Sequence, residues 1–74
     1  MKVGDKVRAL SRLGALDPDS PRPAFVPWQV EPGDVLDYAG PHPDLPDWSM
    51  LLVERDGATY EVPAVEGDHF EAVA

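Results

Sequence analysis

The chain has 74 residues, no cysteine and a net charge of −8, from fourteen acidic and six basic residues. A chain of this length forms one domain, residues 1–74, which buries about 60% of its unfolded surface. Without cysteine it has neither disulfides nor thiolate metal ligands.

The charge is unevenly spread along the sequence. Five bases and three acids in residues 1–22 give +2, whereas one base and eleven acids in residues 23–74 give −10. Nucleic acids and anionic membranes are bound through lysine and arginine, so we expect neither as a partner. A protein with a basic surface is favoured instead, and a merely solvated acidic surface or mimicry of a polyanion are the alternatives.

The N-terminal residues and the apolar runs predict a cytoplasmic location. Met1–Asp5 is followed by charged residues rather than by the apolar core of a signal peptide. The longest apolar run, Met50–Val53, has four residues, whereas a membrane-spanning helix needs about 20.

Proline and glycine content predicts an all-β fold. Nine prolines and six glycines argue against long helices, and several windows alternate with period two. Five strands are expected: Lys6 to about Leu13, Val35–Ala39, the two arms of a hairpin within residues 48–62, and Phe70–Val73. The expected connections are a long loop over residues 14–27, a turn at 29–34, a second loop at 40–47 and one 3₁₀ turn within 64–68. Pro63 is expected to end the hairpin.

Residues 48–62 predict a β-hairpin around Asp56-Gly57. Asp-Gly between alternating apolar runs is a strong hairpin signal, because a type I′ turn needs positive φ at both central residues. The two-residue loop fixes the register, from Arg55 opposite Ala58 to Leu51 opposite Val62. The inward face is then wholly apolar: Leu51, Val53, Tyr60 and Val62. The outward face carries Trp48, Met50 and Leu52 beside Glu54, Thr59 and Glu61.

The order of these elements resembles that of the SH3-like barrel. Val30-Glu31-Pro32-Gly33-Asp34-Val35-Leu36 looks like the diverging turn of that fold, and Trp48 falls where many SH3 domains begin their third strand with tryptophan. The resemblance implies a five-stranded SH3-like barrel. Residues 8–12 lack the tyrosines of peptide-binding SH3 domains, and no tyrosine follows Pro63, so it does not imply polyproline recognition.

A second resemblance concerns the N-terminal half of the chain. Val3-Gly4-Asp5, an alternating basic strand and Pro-Arg-Pro-x-Phe-Val at residues 21–26 are similar to the C-terminal barrel of nitrile hydratase β subunits. Small bacterial barrels of unknown function also share the Val-Gly-Asp start. Because the metal-binding cysteines of the hydratase lie on its other subunit, this likeness implies an accessory subunit of a metalloenzyme complex rather than a catalyst.

The outward apolar stripe of the hairpin is the candidate site, and two interpretations of it remain open. In the first, one of Phe25 and Trp28 folds back over the stripe and forms a second small core. In the second, Trp48 stays partly exposed as an anchor for a protein partner. In the second case we expect a non-enzymatic binding module with an acidic rim. Its partner-binding residues would be Trp48, Met50, Leu52, Tyr38 and Trp28.

No residue pattern indicates catalysis or a cofactor. The serines lack a nucleophile-elbow context, and a small barrel filled by its own side chains seldom offers the dry pocket that a general acid needs. His42 with two nearby aspartates, or His69 with Asp68 and Glu71, has ligand-type residues, but such spacing is common in plain loops. We therefore expect no enzyme activity, no metal and no cofactor.

Overall fold

In the computed structural model, which describes residues 1–22 and 24–73, seven strands account for all the regular structure. No part of that stretch is helical, and so no helix there is long and apolar enough to cross a membrane. The all-β prediction is confirmed. The strands are β1 Lys6–Ala9, β2 Leu13–Leu16, β3 Phe25–Val30, β4 Val35–Pro41, β5 Ser49–Arg55, β6 Ala58–Ala64 and β7 Phe70–Ala72.

All seven strands pair antiparallel in one sheet, in the order β3-β2-β6-β5-β4-β1-β7. The prediction of a five-stranded closed barrel is wrong in its strand count and in its closure. Within the described residues β3 and β7, at the two ends of this order, do not pair with each other. The structure is therefore an open sheet with two edges.

The connection between β1 and β2 forces this open sheet to curl. The two strands are consecutive in the chain but lie four strand spacings apart in the sheet order. Four spacings measure about 19 Å in a flat sheet. The chain from Ala9 to Leu13 spans at most about 14 Å when fully extended. A flat sheet cannot accommodate this connection, so the sheet bends and turns one face inward.

The inward face forms the only hydrophobic core among the described residues, and every strand contributes to it. Because the sheet has no helix to cover this face, the curled sheet covers it itself. The buried residues are Val7, Ala9, Leu13, Ala15, Val30, Leu36, Leu51, Val62, Ala64 and Phe70.

The central hairpin has the predicted turn and the predicted register. Asp56 and Gly57 have φ of 54° and 81°, as the type I′ turn requires. Arg55 pairs with Ala58, and Leu51 pairs with Val62. The hairpin extends further than predicted, because Pro63 stays in β6 opposite Met50 instead of ending the strand.

Two predictions for the N-terminal third are wrong. The single first strand is divided at residues 10–12, because β1 pairs with β4 and β7 whereas β2 pairs with β6 and β3. The predicted loop over residues 14–27 contains the end of β2 and the start of β3. Pro27 is accommodated because β3 is an edge strand and its register with β2 shifts at that point. Pro23, also part of the predicted loop, lies outside the described residues.

The predicted 3₁₀ turn within residues 64–68 is also wrong. The N–H of His69 donates to the carbonyl of Val65, four residues earlier, at 2.9 Å. The N–H of Gly67 donates to the carbonyl of Phe70 at 2.9 Å. These bonds close a wider turn than the i to i+3 bonds of a 3₁₀ helix.

Candidate functional site

The outward face of the curled sheet carries a row of residues that are paired from strand to strand. Residues directly opposite each other in antiparallel strands share a face. The row continues from β1 to β3 without interruption: Lys6, Asp37, Leu52, Glu61, Leu16 and Phe25. It therefore brings side chains from six strands onto one surface.

Five apolar side chains gather on this outward face, and we call them the outer patch. They come from the four neighbouring strands β5, β6, β2 and β3, and Met50 on β5 is paired with Pro63 on β6. Phe25 is 65% exposed, and the others are half-buried. The outer patch consists of Leu16, Phe25, Met50, Leu52 and Pro63. Together they form an apolar surface on the side that faces solvent.

Phe25 packs over β2 at the position where residue 14, a glycine, has no side chain. A Cβ at Gly14 would stand 2.5 Å from Cδ1 and 2.7 Å from Cε1 of the Phe25 ring, closer than real Cβ contacts allow. An aromatic ring over a glycine on a neighbouring strand covers the bare backbone there. The ring therefore contacts β2 while most of its surface stays exposed to solvent.

Glu61 is the charged residue in the middle of the outer patch. It is paired with Leu52 on one side and with Leu16 on the other, and its side chain is half-buried. Within the described residues its carboxylate forms no ion pair. A carboxylate flanked by leucines is thus left without a cation.

Trp48 lies at one end of the sheet, beside the outer patch. It is half-buried, and its ring lies 5.6 Å from the imidazole of His69, between centroids. Its backbone is tied into the loop before β5, since its carbonyl accepts the N–H of His42 at 2.9 Å. The position of Trp48 is therefore set by the two loops at this end of the sheet.

The other two predicted partner-binding residues, Trp28 and Tyr38, pack against the core on the inward side. Trp28 meets Tyr60 edge to face at 4.9 Å between centroids, and the Arg55 guanidinium lies 4.0 Å from its ring centroid. Tyr38 is paired with the buried Leu51, and its ring lies 6.5 Å from that of Phe70. The structure thus brings Met50 and Leu52 together, with Trp48 beside them, and places Trp28 and Tyr38 on the opposite face.

Of the two open interpretations, the one in which Phe25 or Trp28 folds back over the stripe does not fit the described structure. Trp28 lies on the inward side, and Phe25 is three strands away from Leu52 in the sheet order. His69, rather than either of them, contacts the Trp48 ring. Leu16, Phe25 and Pro63 were not predicted as part of the stripe. Alternation assigns a side chain to one face of the sheet only within a recognised strand, and the sequence pattern predicts a loop over most of β2 and the start of β3.

Basic residues near the N-terminus form ion pairs with acidic residues that come later in the sequence. Three bases from the first 22 residues pair with acids from later segments, and all six side chains are solvent-exposed. The pairs are Lys6–Asp37, Arg8–Glu71 at 3.6 Å and Arg12–Glu31 at 3.0 Å. Eleven of the fourteen acids form no ion pair within the described part of the chain. The surface as a whole therefore stays acidic, and two of these acids, Glu54 and Glu61, lie on the outward face.

Both histidines use Nδ1 as a hydrogen-bond acceptor for loop backbone. His42 accepts the N–H groups of Asp44 and Leu45 at 3.0 and 3.1 Å, and His69 accepts that of Val65 at 2.8 Å. Across residues 1–22 and 24–73, no three side chains of His, Asp or Glu are grouped so that they could hold a metal ion. In both loops the imidazole fixes the shape of the turn.

Comparisons with known proteins assign no family to the chain. No protein-family model, no curated protein and no solved structure matches it. The outer patch, with Glu61 at its centre, is therefore the candidate site on structural grounds alone. Its chemistry is suited to non-covalent contact with another apolar and basic surface.

Proposed function

We propose that the protein is a non-enzymatic binding module whose outer patch docks a protein with a basic surface. The observation that carries this proposal is the outer patch itself. When one face of an antiparallel sheet meets water, that face normally carries polar residues. Here four strands place apolar side chains on it. Contiguous exposed apolar surface with a polar rim is typical of interaction sites.

The face of the sheet is a better docking surface than its edges. The β3 edge contains Pro27, which has no N–H, and a register shift that bends the strand. The β7 edge is only three residues long and carries Glu71. Proline, irregular pairing, short length and charge all discourage the addition of another strand. A partner is therefore expected to contact side chains of the face rather than to extend the sheet.

The charge of the protein favours a basic partner. The net charge is −8, and Glu54 and Glu61 lie on the same outward face as Leu52. Complementary charge accelerates association and discriminates against acidic competitors. The interaction is expected to weaken as salt screens the exposed charges.

A capture experiment with three forms of the protein tests this proposal. Wild type, the double variant Met50→Asp/Leu52→Asp and the control Val35→Asp are immobilised and exposed to an extract of the host. Val35 is 53% exposed and lies on β4, which contributes no residue to the outer patch. The control thus adds one charge at an exposed apolar position on the same face but outside the outer patch.

We expect a protein that wild type and Val35→Asp retain and that the double variant loses by at least about tenfold. Circular dichroism and a urea titration establish that all three forms are folded. Equal retention by all three would contradict the proposal. A retained metalloenzyme subunit would indicate the accessory role implied by the resemblance to nitrile hydratase β subunits.

A further inference from the structure

We propose that Glu61 sets the specificity of the outer patch, which takes an amphipathic helix carrying a lysine or arginine between two apolar side chains. This inference rests on the proposed function and identifies the partner of the same site. Its starting observation is the row Leu52, Glu61, Leu16, in which a half-buried carboxylate lies between two leucines with no ion pair in the described structure.

The electrostatics of Glu61 change when the outer patch is covered. In the free protein, water still reaches the half-buried carboxylate. A docked partner removes that water, and a buried charge without a counter-charge is costly. A purely apolar partner leaves this cost uncompensated, whereas a lysine or arginine opposite Glu61 offsets it. Glu61 therefore admits basic partners and rejects neutral or acidic ones.

The spacing of the row matches a helix better than an extended segment. Neighbouring strands are about 4.7–4.9 Å apart, so Leu52, Glu61 and Leu16 follow one another at about that interval. Side chains at i and i+3 or i+4 of a helix are about 5–6 Å apart. Side chains on one face of an extended segment are about 6.6–6.8 Å apart, and that mismatch grows with each step.

The length of the outer patch across the strands also suits a helix. The patch extends over β5, β6, β2 and β3, which are three strand spacings or about 14 Å. A helix rises 1.5 Å per residue, so about nine or ten residues cover this length. A helix that lies across the strands presents apolar, basic and apolar residues at i, i+4 and i+7 or i+8 to Leu52, Glu61 and Leu16 in turn.

A displayed helix library tests this inference directly. The library is a stable helical hairpin displayed on phage, with five surface positions of one helix randomised at i, i+3, i+4, i+7 and i+8. It is selected in parallel on wild type, on Glu61→Lys and on Met50→Asp/Leu52→Asp, each shown to be folded by circular dichroism. We expect wild type to enrich lysine or arginine at the central position between apolar residues. We expect Glu61→Lys to enrich aspartate or glutamate at that same position.

The possible outcomes separate the inference from the proposed function. If wild type and Glu61→Lys enrich the same apolar sequences, with no charge preference, Glu61 does not select and the inference fails while the docking surface stands. If wild type enriches nothing beyond what the double variant enriches, the outer patch does not dock helices and the inference fails, whereas the capture experiment above decides the proposed function. In a helix selected on wild type, we expect the change of its basic residue to glutamine to weaken binding about tenfold. This corresponds to about 1.4 kcal/mol.

Discussion

His69 joins the turn over residues 65–69 to Trp48 through two separate contacts. Its Nδ1 accepts the Val65 N–H at 2.8 Å in a partly buried setting, and its ring lies 5.6 Å from that of Trp48. His42 makes similar bonds to backbone N–H groups, but those bonds are solvent-exposed. The two histidines therefore form a matched pair in which only His69 supports an aromatic side chain.

The variant His69→Ala is expected to destabilise the protein by about 1–2 kcal/mol. It leaves the N–H of Val65 without an acceptor and removes the ring that contacts Trp48. The control His42→Ala is expected to cost less than about 0.5 kcal/mol, because water replaces its exposed hydrogen bonds. Urea unfolding followed by tryptophan fluorescence measures both values. Equal losses for the two variants would show that the contact with Trp48 contributes nothing.

The hairpin of β5 and β6 is the element that divides the core from the outer patch. Leu51 is fully buried on the inward face, and the adjacent Leu52 is half-buried on the outward face. The two leucines have the same chemistry and neighbouring positions. They differ only in the side of the sheet to which they contribute.

Replacing each leucine by alanine compares the contribution of the two faces to stability. Leu51→Ala is expected to cost about 3–5 kcal/mol, because it leaves a cavity in the core. Leu52→Ala is expected to cost less than about 1 kcal/mol, because its side chain is only partly removed from water. Urea midpoints give both values. A larger loss for Leu52→Ala than for Leu51→Ala would mean that the assignment of faces is inverted.

The hairpin could be predicted from the sequence because its determinants are local. Asp56-Gly57 specifies the turn, the turn specifies the register, and alternation specifies the faces. The division of the first strand depends instead on distant residues. The N–H of Ala9 donates to the carbonyl of Asp34 and that of Leu10 to the carbonyl of His69, both beyond the reach of local sequence patterns.

The outer patch could be predicted only in part, for the same reason. Met50 and Leu52 were found from the hairpin alone. The prolines on both sides of Phe25 predict a loop there, and it lies in β3 only because that strand is an edge with a register shift. Leu16 and Glu61 became neighbours through a pairing of strands that are far apart in the sequence.

At the scale of the whole molecule, the two faces of one curled sheet differ in character. Among the described residues, the inward face holds all ten buried apolar residues, so the core does not depend on the outward face. The outward face can then carry apolar residues for the proposed binding, at a modest cost in solubility that the net charge of −8 offsets. This division is the central claim of our account.

Amide chemical-shift mapping tests that division most directly. The ¹⁵N-labelled protein is titrated with the helix selected on wild type or with the protein captured from the extract. We predict that the largest shifts fall on the outward row, at Leu16, Phe25, Leu52 and Glu61, and that the amides of the buried, inward-facing residues shift less. Shifts concentrated at Trp28 and Tyr38, or confined to the loops around Trp48, would contradict the claim that the outer patch is the docking surface.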